Sequence, residues 1–171
     1  GSRGIRVLKR WFADEDTTDD QLRNFATATL VPGLKKIAPK LSVGTLIVTD
    51  FVPIRNSTDA NDVQIAGANA FVTADKHDVI YIEKGFFSHS ASSVFQKDER
   101  HWARIMVHEM THREAKTKDN RYGWAGIQPK KGTFSSAAAM DNADSWALFV
   151  ANAAGAMSKT DVARSLGGTA S

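Results

Sequence analysis

The sequence predicts an α+β fold, helix-rich with a small mixed sheet, on three observations. Residues 97–118 contain neither Pro nor Gly and repeat Trp102, Ile105, Met106 and Met110 at three- and four-residue steps, which marks a long amphipathic helix. Short runs rich in β-branched and aromatic residues, Thr45–Val48, Ala70–Thr73 and Val79–Ile82, read as strands. The alanine-rich stretch 141–156 supplies another packed helix.

Ile5–Phe12 is expected to form a short helix or lead-in. Asp19–Ile37 carries Leu22, Phe25, Ala26, Leu30 and Leu34 at mostly helical spacing, with Pro32-Gly33 expected to bend or end it. Thr45–Val48 and Phe51-Val52 favour a strand, and the polar stretch Asn56–Asn69 reads as a loop. Ala70–Thr73 and Val79–Ile82 follow as strands around a turn at Asp75-Lys76-His77-Asp78. After the long helix come a loop carrying Asp119 and a segment, Gly126–Ser136, expected to be flexible. Asp141–Ala156 should be a helix with Asp144 on its first turns and Ala147, Leu148, Val150 and Ala151 facing inward. Thr160 is expected to cap a last short helix ahead of the Gly167-Gly168 tail.

With 171 residues and 42% hydrophobic content, the chain suits one domain spanning 1–171. Residues 1–4 read as a cloning remnant or disordered lead-in, and 157–171 as the C-terminal helix and tail. No apolar run approaches the roughly 20 residues that cross a bilayer, so no membrane span is expected. Any signal, propeptide or delivery domain would lie upstream. Cysteine is absent, which removes disulfides and thiolate metal ligands. The net charge of +3 is modest, and Lys35-Lys36 and Lys130-Lys131 lack an accompanying aromatic-basic motif, so no nucleic-acid partner is expected.

The chemistry concentrates in His108-Glu109-Met110-Thr111-His112. Residues four apart on a helix point the same way, so His108 and His112 can offer two nitrogens to one zinc ion while Glu109 lies beside the open coordination position. That pattern points to a zinc-dependent hydrolase, most simply a peptidase. A catalytic zinc takes three protein ligands and keeps a fourth position for water. A third histidine further along the helix is excluded, because Ala115 and Lys118 occupy the positions that the longer H-E-x-x-H-x-x-G-x-x-H motif requires. Asp119, just beyond the helix, is the nearer candidate and Asp144 the fallback; Glu114, two residues from His112, faces away. His77, His89 and His101 are not needed as ligands and read as surface or loop residues.

His108 to His112, then Thr117-x-Asp119-x-x-Tyr122-Gly123, then Asn142-Ala143-Asp144-Ser145, resembles the aspzincins, the family of deuterolysin and the lysine-specific metallo-endopeptidases. Those enzymes carry H-E-x-x-H, G-T-x-D-x-x-Y-G and N-A-D-S in that order. Arg10-Trp11-Phe12 is similar to their early W-F signature, and Val79–Ile82 through Phe86-Phe87 to the strand and turn before their zinc helix, so the likeness runs from about Val7 to Ala153. The resemblance implies a zincin-like fold and one catalytic Zn2+ held by His108, His112 and Asp119. It makes Glu109 the general base and Tyr122 the hydrogen-bond donor to the oxyanion. Asn142, Thr117 and Asp144 would bind substrate or support the ligands. In the lysine-specific branch the aspartate of N-A-D-S and an acid three residues later form a pocket for a basic side chain. Ala147 stands at that later position, so strict lysine preference is not expected. Lys116 replaces the glycine before Thr117, so the loop toward Asp119 is expected to follow a different path.

A protein or peptide substrate is the expected partner, and Val79–Ile82 is the expected edge strand on which it would lie. The resemblance implies disulfide bonds in the family's secreted fungal members, so the lack of cysteine here sets the expectation of a bacterial member, either secreted or delivered into another cell as a toxic domain. The competing readings are a non-catalytic interaction or toxin domain that keeps the fold, and a zinc hydrolase acting on another amide such as cell-wall peptide.

Overall fold

The computed structural model describes residues 3–44, 46–50, 68–73, 79–87, 94–95 and 98–168. Helix α1 (Arg3–Phe12) begins earlier than expected, so Arg3 and Gly4 are helical rather than a loose lead-in. It delivers Trp11 and Phe12, both fully buried, and the Trp11 indole donates to Asn152 Oδ1 at 3.0 Å. Helix α2 (Asp19–Phe25) starts at a capping box in which Thr18 and Gln21 satisfy each other's free donors.

Pro32-Gly33 does not end the helical run. A π-helical turn, Ala26–Leu30, widens the backbone ahead of Pro32, and the chain continues as α3 (Val31–Ser42). The wide turn absorbs the missing Pro32 donor and the bulk of its ring. Gly33 serves packing instead: a Cβ there would stand 2.8 Å from Trp146 Cζ3, and Trp146 is fully buried.

The sheet is small and mixed, as expected, in the order β1-β3-β2. Strand β1 (Ile47–Thr49) runs parallel to β3 (Val79–Ile82), and β2 (Ala70–Phe71) pairs antiparallel with β3 on the other side, Phe71 opposite Tyr81. Val79–Ile82 is therefore the central strand, with neighbours on both sides, and cannot add an extended peptide. Among the described residues, β2 is the edge that faces the long helix. Val72 and Thr73 fall outside β2, and Leu46 outside β1. Thr45, Phe51-Val52, residues 56–67 and the turn at 75–78, with His77 and His89, lie outside the described residues.

Helix α4 (Asp98–Ala115) is the predicted long helix. It packs Ile105 and Met110 against Ile37 of α3, Ala70 and Ile80 of the sheet, and Phe86. The Trp102 indole donates to the Phe86 carbonyl at 2.8 Å, tying α4 to the 3-10 turn Lys84–Phe87. His101 is buried on this helix rather than at the surface.

Beyond α4 comes a short helix α5 (Ser136–Met140), then, after Asp141 and Asn142, the helix expected over 141–156, which is α6 (Ala143–Ala153). Ala147 and Leu148 are buried, Val150 and Ala151 only partly. Trp146 and Leu148 join Trp11, Phe12, Leu22 and Phe25 in the second core, where burial of each large side chain stabilises by about 1.5–3 kcal/mol. The segment Gly126–Ser136 is pinned, not loose. Ile127 is fully buried with its N–H on the Ser165 carbonyl, Lys130 bridges to Phe134, and Ser136 N–H donates to Asp14. The last helix, α7 (Lys159–Gly167), is capped by Ser158 with Asp161, two residues earlier than the expected Thr160. No described helix is long and apolar enough to cross a membrane.

Candidate metal centre

Helix α4 lays Arg104, His108 and His112 along one stripe, each four residues from the next. The two imidazoles meet nearly at right angles, with His108 Nε2 and His112 Nε2 3.1 Å apart. Asp119 Oδ1 lies 3.0 Å from the first nitrogen and 3.3 Å from the second. Donor atoms bound at about 2.0–2.2 Å to a tetrahedral zinc stand about 3.3 Å or slightly more from one another. All three separations are close to that edge length, so His108, His112 and Asp119 could hold one zinc ion as a tetrahedral face. Glu109 also falls within 4.8 Å of the two imidazoles. Its nearest approach to His108 Nε2 is 3.9 Å, longer than either Asp119 contact, which leaves it beside the three donors rather than among them.

The outward nitrogens of both rings are already engaged. His108 Nδ1 donates to Asp144 Oδ1 at 2.7 Å, and His112 Nδ1 donates to the Thr117 carbonyl at 2.8 Å. Each bond fixes the tautomer that leaves an Nε2 lone pair pointing inward. Asp144 sits behind His108, on the side away from Nε2, and so is not a ligand of the same ion. It is a buried orienting group: Arg104 Nη1 also pairs with its Oδ1, and Gly123 N–H donates to its Oδ2 at 2.7 Å.

The loop that returns Asp119 to α4 is built by the residues between them. Thr111 Oγ1 donates to the His108 carbonyl at 2.7 Å and accepts from Thr117 at 2.7 Å, closing the helix end. Lys116 then adopts φ 60°, the left-handed conformation natural to glycine. Holding a lysine there costs on the order of 1 kcal/mol. Lys116→Gly is therefore expected to stabilise the protein by about 0.5–1 kcal/mol in thermal unfolding, and an unchanged or lower Tm would contradict the strain. Next, Lys118 N–H donates to the Asp141 carbonyl at 2.8 Å, and Ala143 N–H returns the bond to Lys118 at 3.0 Å. Asn142 clamps the following turn through both its amide atoms to Arg121, each at 2.9 Å. Thr117, Asn142 and Asp144 thus support the donors, and none lines the cleft.

That cleft, of about 530 Å3, is bordered by residues 68–72 on the β2 edge and by Arg104, His108, Glu109, Asp119 and Tyr122 opposite. The Tyr122 ring stacks between His108 and Trp124, 6.2 Å from each, and is 40% exposed. Burial, with Asp119 and Asp144 nearby, pushes its phenol well above the ordinary range, so it stays a donor. Sequence reasoning did not single out Arg104 or Trp124. Arg104 carried a signal, four residues before His108; Trp124 carried none.

Charge in the metal-free site follows from the same contacts. Burial alone would lower the His108 pKa, but Asp119 and Asp144 outweigh it and raise it to about 10. His112 also moves up, against its burial, through Asp119. Asp119 resists its own burial and is held well below the usual carboxylate range by the two histidines. Burial pushes Glu109 up to about 7, opposed by His108 and His112. Two inward lone pairs and a carboxylate this close demand positive charge between them, either a proton or a metal ion.

A helix presenting paired imidazoles to a returning carboxylate, beside a cleft bordered by a strand that is at the sheet edge among the described residues, defines the class of metal-dependent hydrolases of zincin type. The chain belongs to the aspzincin family: residues 2–151 match the family model described as lysine-specific metallo-endopeptidase. It is thus a zinc metallopeptidase in general terms, and peptide is its class of substrate. Comparisons with curated proteins and with solved structures found no match.

Proposed function

We propose that the chain is a zinc-dependent endopeptidase in which His108, His112 and Asp119 bind the metal, Glu109 moves the proton and Tyr122 stabilises the oxyanion. The observation that carries this reading is the triangle of inward donor atoms, with sides of 3.0, 3.1 and 3.3 Å. When bound, zinc supplies a water acidified to a pKa of about 7 and polarises the scissile carbonyl.

The remaining steps belong to the chain. Residues 68–72 offer backbone donors and acceptors along the cleft, where an extended peptide can pair with the β2 edge. Glu109, buried beside the donor face, accepts the proton of the attacking water and passes it to the leaving amine. Its burial keeps the carboxylate weakly solvated and a better base than an exposed glutamate. Tyr122, half in the cleft and fixed by its stacking partners, turns its O–H toward the oxygen that gains charge, a contribution of about 3 kcal/mol in comparable sites.

The test is to incubate zinc-loaded protein with a mixture of unfolded proteins and read the fragments by mass spectrometry, with and without chelator. Chelator-sensitive internal cleavage is expected. Stoichiometric zinc with no fragments would favour the non-catalytic domain.

The metal-free site also predicts a pH dependence. The folded His108 pKa, about 10, lies above the ordinary 6.5, so its stabilising contribution is full below pH 6.5 and is lost as pH rises toward 10. Zinc must displace that proton, so its binding tightens over the same window. In thermal unfolding with chelator, Tm should fall across this range while the gain on adding zinc grows; a gain independent of pH would contradict the proton's place.

A further inference from the structure

Trp124 is the largest exposed apolar side chain among the described residues, 51% exposed, and it lines the cleft. The turn that carries it is pinned from behind by α7. Ile127 N–H donates to the Ser165 carbonyl at 2.9 Å, and a Cβ on Gly168 would stand 3.1 Å from the Trp124 carbonyl. The Trp124 ring is nearly parallel to that of Tyr122, and Tyr122 to that of His108, with 6.2 Å between centroids at each step. An extended peptide rises about 3.3 Å per residue, so one ring step beyond Tyr122 matches about two residues of substrate.

The charged groups of the lining are engaged with one another. Arg104 is paired with Asp144, Asp119 stands against both imidazoles, and Glu109 is buried beside them. With a divalent cation at the donors, the carboxylates of Asp119 and Glu109 balance its charge, so the cleft favours neither sign. Of the side chains that remain in the described lining, Asn69 is the hydrophilic one, and Phe71, Val72 and Trp124 present apolar surface.

We propose that Trp124 forms a side-chain subsite that takes a large apolar residue, aromatic or aliphatic, within two residues of the scissile bond. The inference rests on the peptidase reading above, and it departs from the lysine preference in the family's description. A phenylalanine or leucine side chain laid on the indole leaves water, and an aromatic one adds ring stacking. A lysine ammonium over the same ring gives up hydration, while the nearby carboxylates are already engaged.

The experiment uses a randomised peptide library with the zinc-loaded protein, cut sites read by mass spectrometry, followed by kcat/KM on peptides differing only in the preferred position. Phenylalanine and leucine peptides should exceed alanine, lysine and glutamate peptides by about 10-fold or more. Trp124→Ala should bring that ratio toward unity, and Trp124→Phe, which keeps an aromatic face, should keep the order. Trp124→Glu should move the preference to lysine and arginine. A purely structural role for Trp124 would lower every substrate in proportion and leave the ranking alone, which would overturn the proposal. Equal cleavage of all five peptides by the unaltered protein, or a lead for lysine, would overturn it too. Should Trp124→Ala not fold, the shift expected of Trp124→Glu decides the matter. Fluorescence anisotropy of the same labelled peptides on Glu109→Gln protein gives a readout without turnover, and the same ranking is expected. If zinc binds and no peptide is cut, the peptidase reading fails, while the anisotropy ranking still judges Trp124.

Discussion

Glu109→Gln protein is expected to hold zinc as tightly as the unaltered chain and to lose about 10²–10⁴-fold in kcat. The substitution keeps the size and shape of a buried residue, 6% exposed, so the packing around it should survive. It removes only the capacity to accept a proton. The three donors that could hold the ion are His108, His112 and Asp119, so metal content should not change. Zinc content by mass spectrometry and kcat on a cleavable peptide separate the two effects. Loss of zinc together with activity would make Glu109 a ligand, and full activity would remove it from the chemistry. In the unaltered enzyme, activity should rise with pH as Glu109 ionises. Burial holds the Glu109 pKa near 7 without metal, and a bound cation should draw it, and the rise in activity, lower.

Asp144→Ala should be the most destabilising single change at the site. It strips the partner from Arg104, whose side chain is 12% exposed, and frees His108 to rotate. Breaking a buried pair by deleting one member costs about 3–5 kcal/mol, and losing the group that orients a metal-binding histidine costs about 10–100-fold in metal affinity. Thermal unfolding with chelator reads the first, and zinc titration reads the second. A loss below about 1 kcal/mol with unchanged zinc affinity would contradict the role assigned to Asp144. Acid gives an independent check. Although burial alone would raise it, the Asp144 pKa is held below its ordinary 3.8 by Arg104 and His108. A depressed carboxylate stabilises above its unfolded pKa, and that stability is lost as pH falls through the folded one. Stability should therefore decline steeply below about pH 4, and Asp144→Asn protein should decline less steeply over the same range.

The sequence was most legible where local rules and chemistry coincide. The spacing of Trp102, Ile105, Met106 and Met110 predicted α4 because helical periodicity and core burial act on the same residues. The candidate metal-binding histidines were legible because the i, i+4 step fixes the direction of both imidazoles before any tertiary contact forms. Asp119 was a choice among acids until the Lys118–Asn142 bridge and the φ of Lys116 turned the loop back. Asp144 had three open roles, and only the position of its carboxylate behind His108 selects one. The strand order was out of reach: Val79–Ile82 looks the same in sequence whether central or at an edge, because pairing depends on residues far along the chain. The π turn before Pro32 was missed for a related reason, since a proline predicts disruption but not how the neighbouring turn absorbs it. Arg104 reads as an ordinary helix-surface cation until Asp144 of α6 is placed against it.

The most direct measurement is the anomalous difference map of crystals containing zinc, recorded on both sides of the zinc absorption edge. One peak is expected, about 2.0–2.2 Å from His108 Nε2, His112 Nε2 and an Asp119 carboxylate oxygen. A peak bound instead by Glu109 or Asp144, or no peak between the two imidazoles at saturating zinc, would contradict the assigned centre.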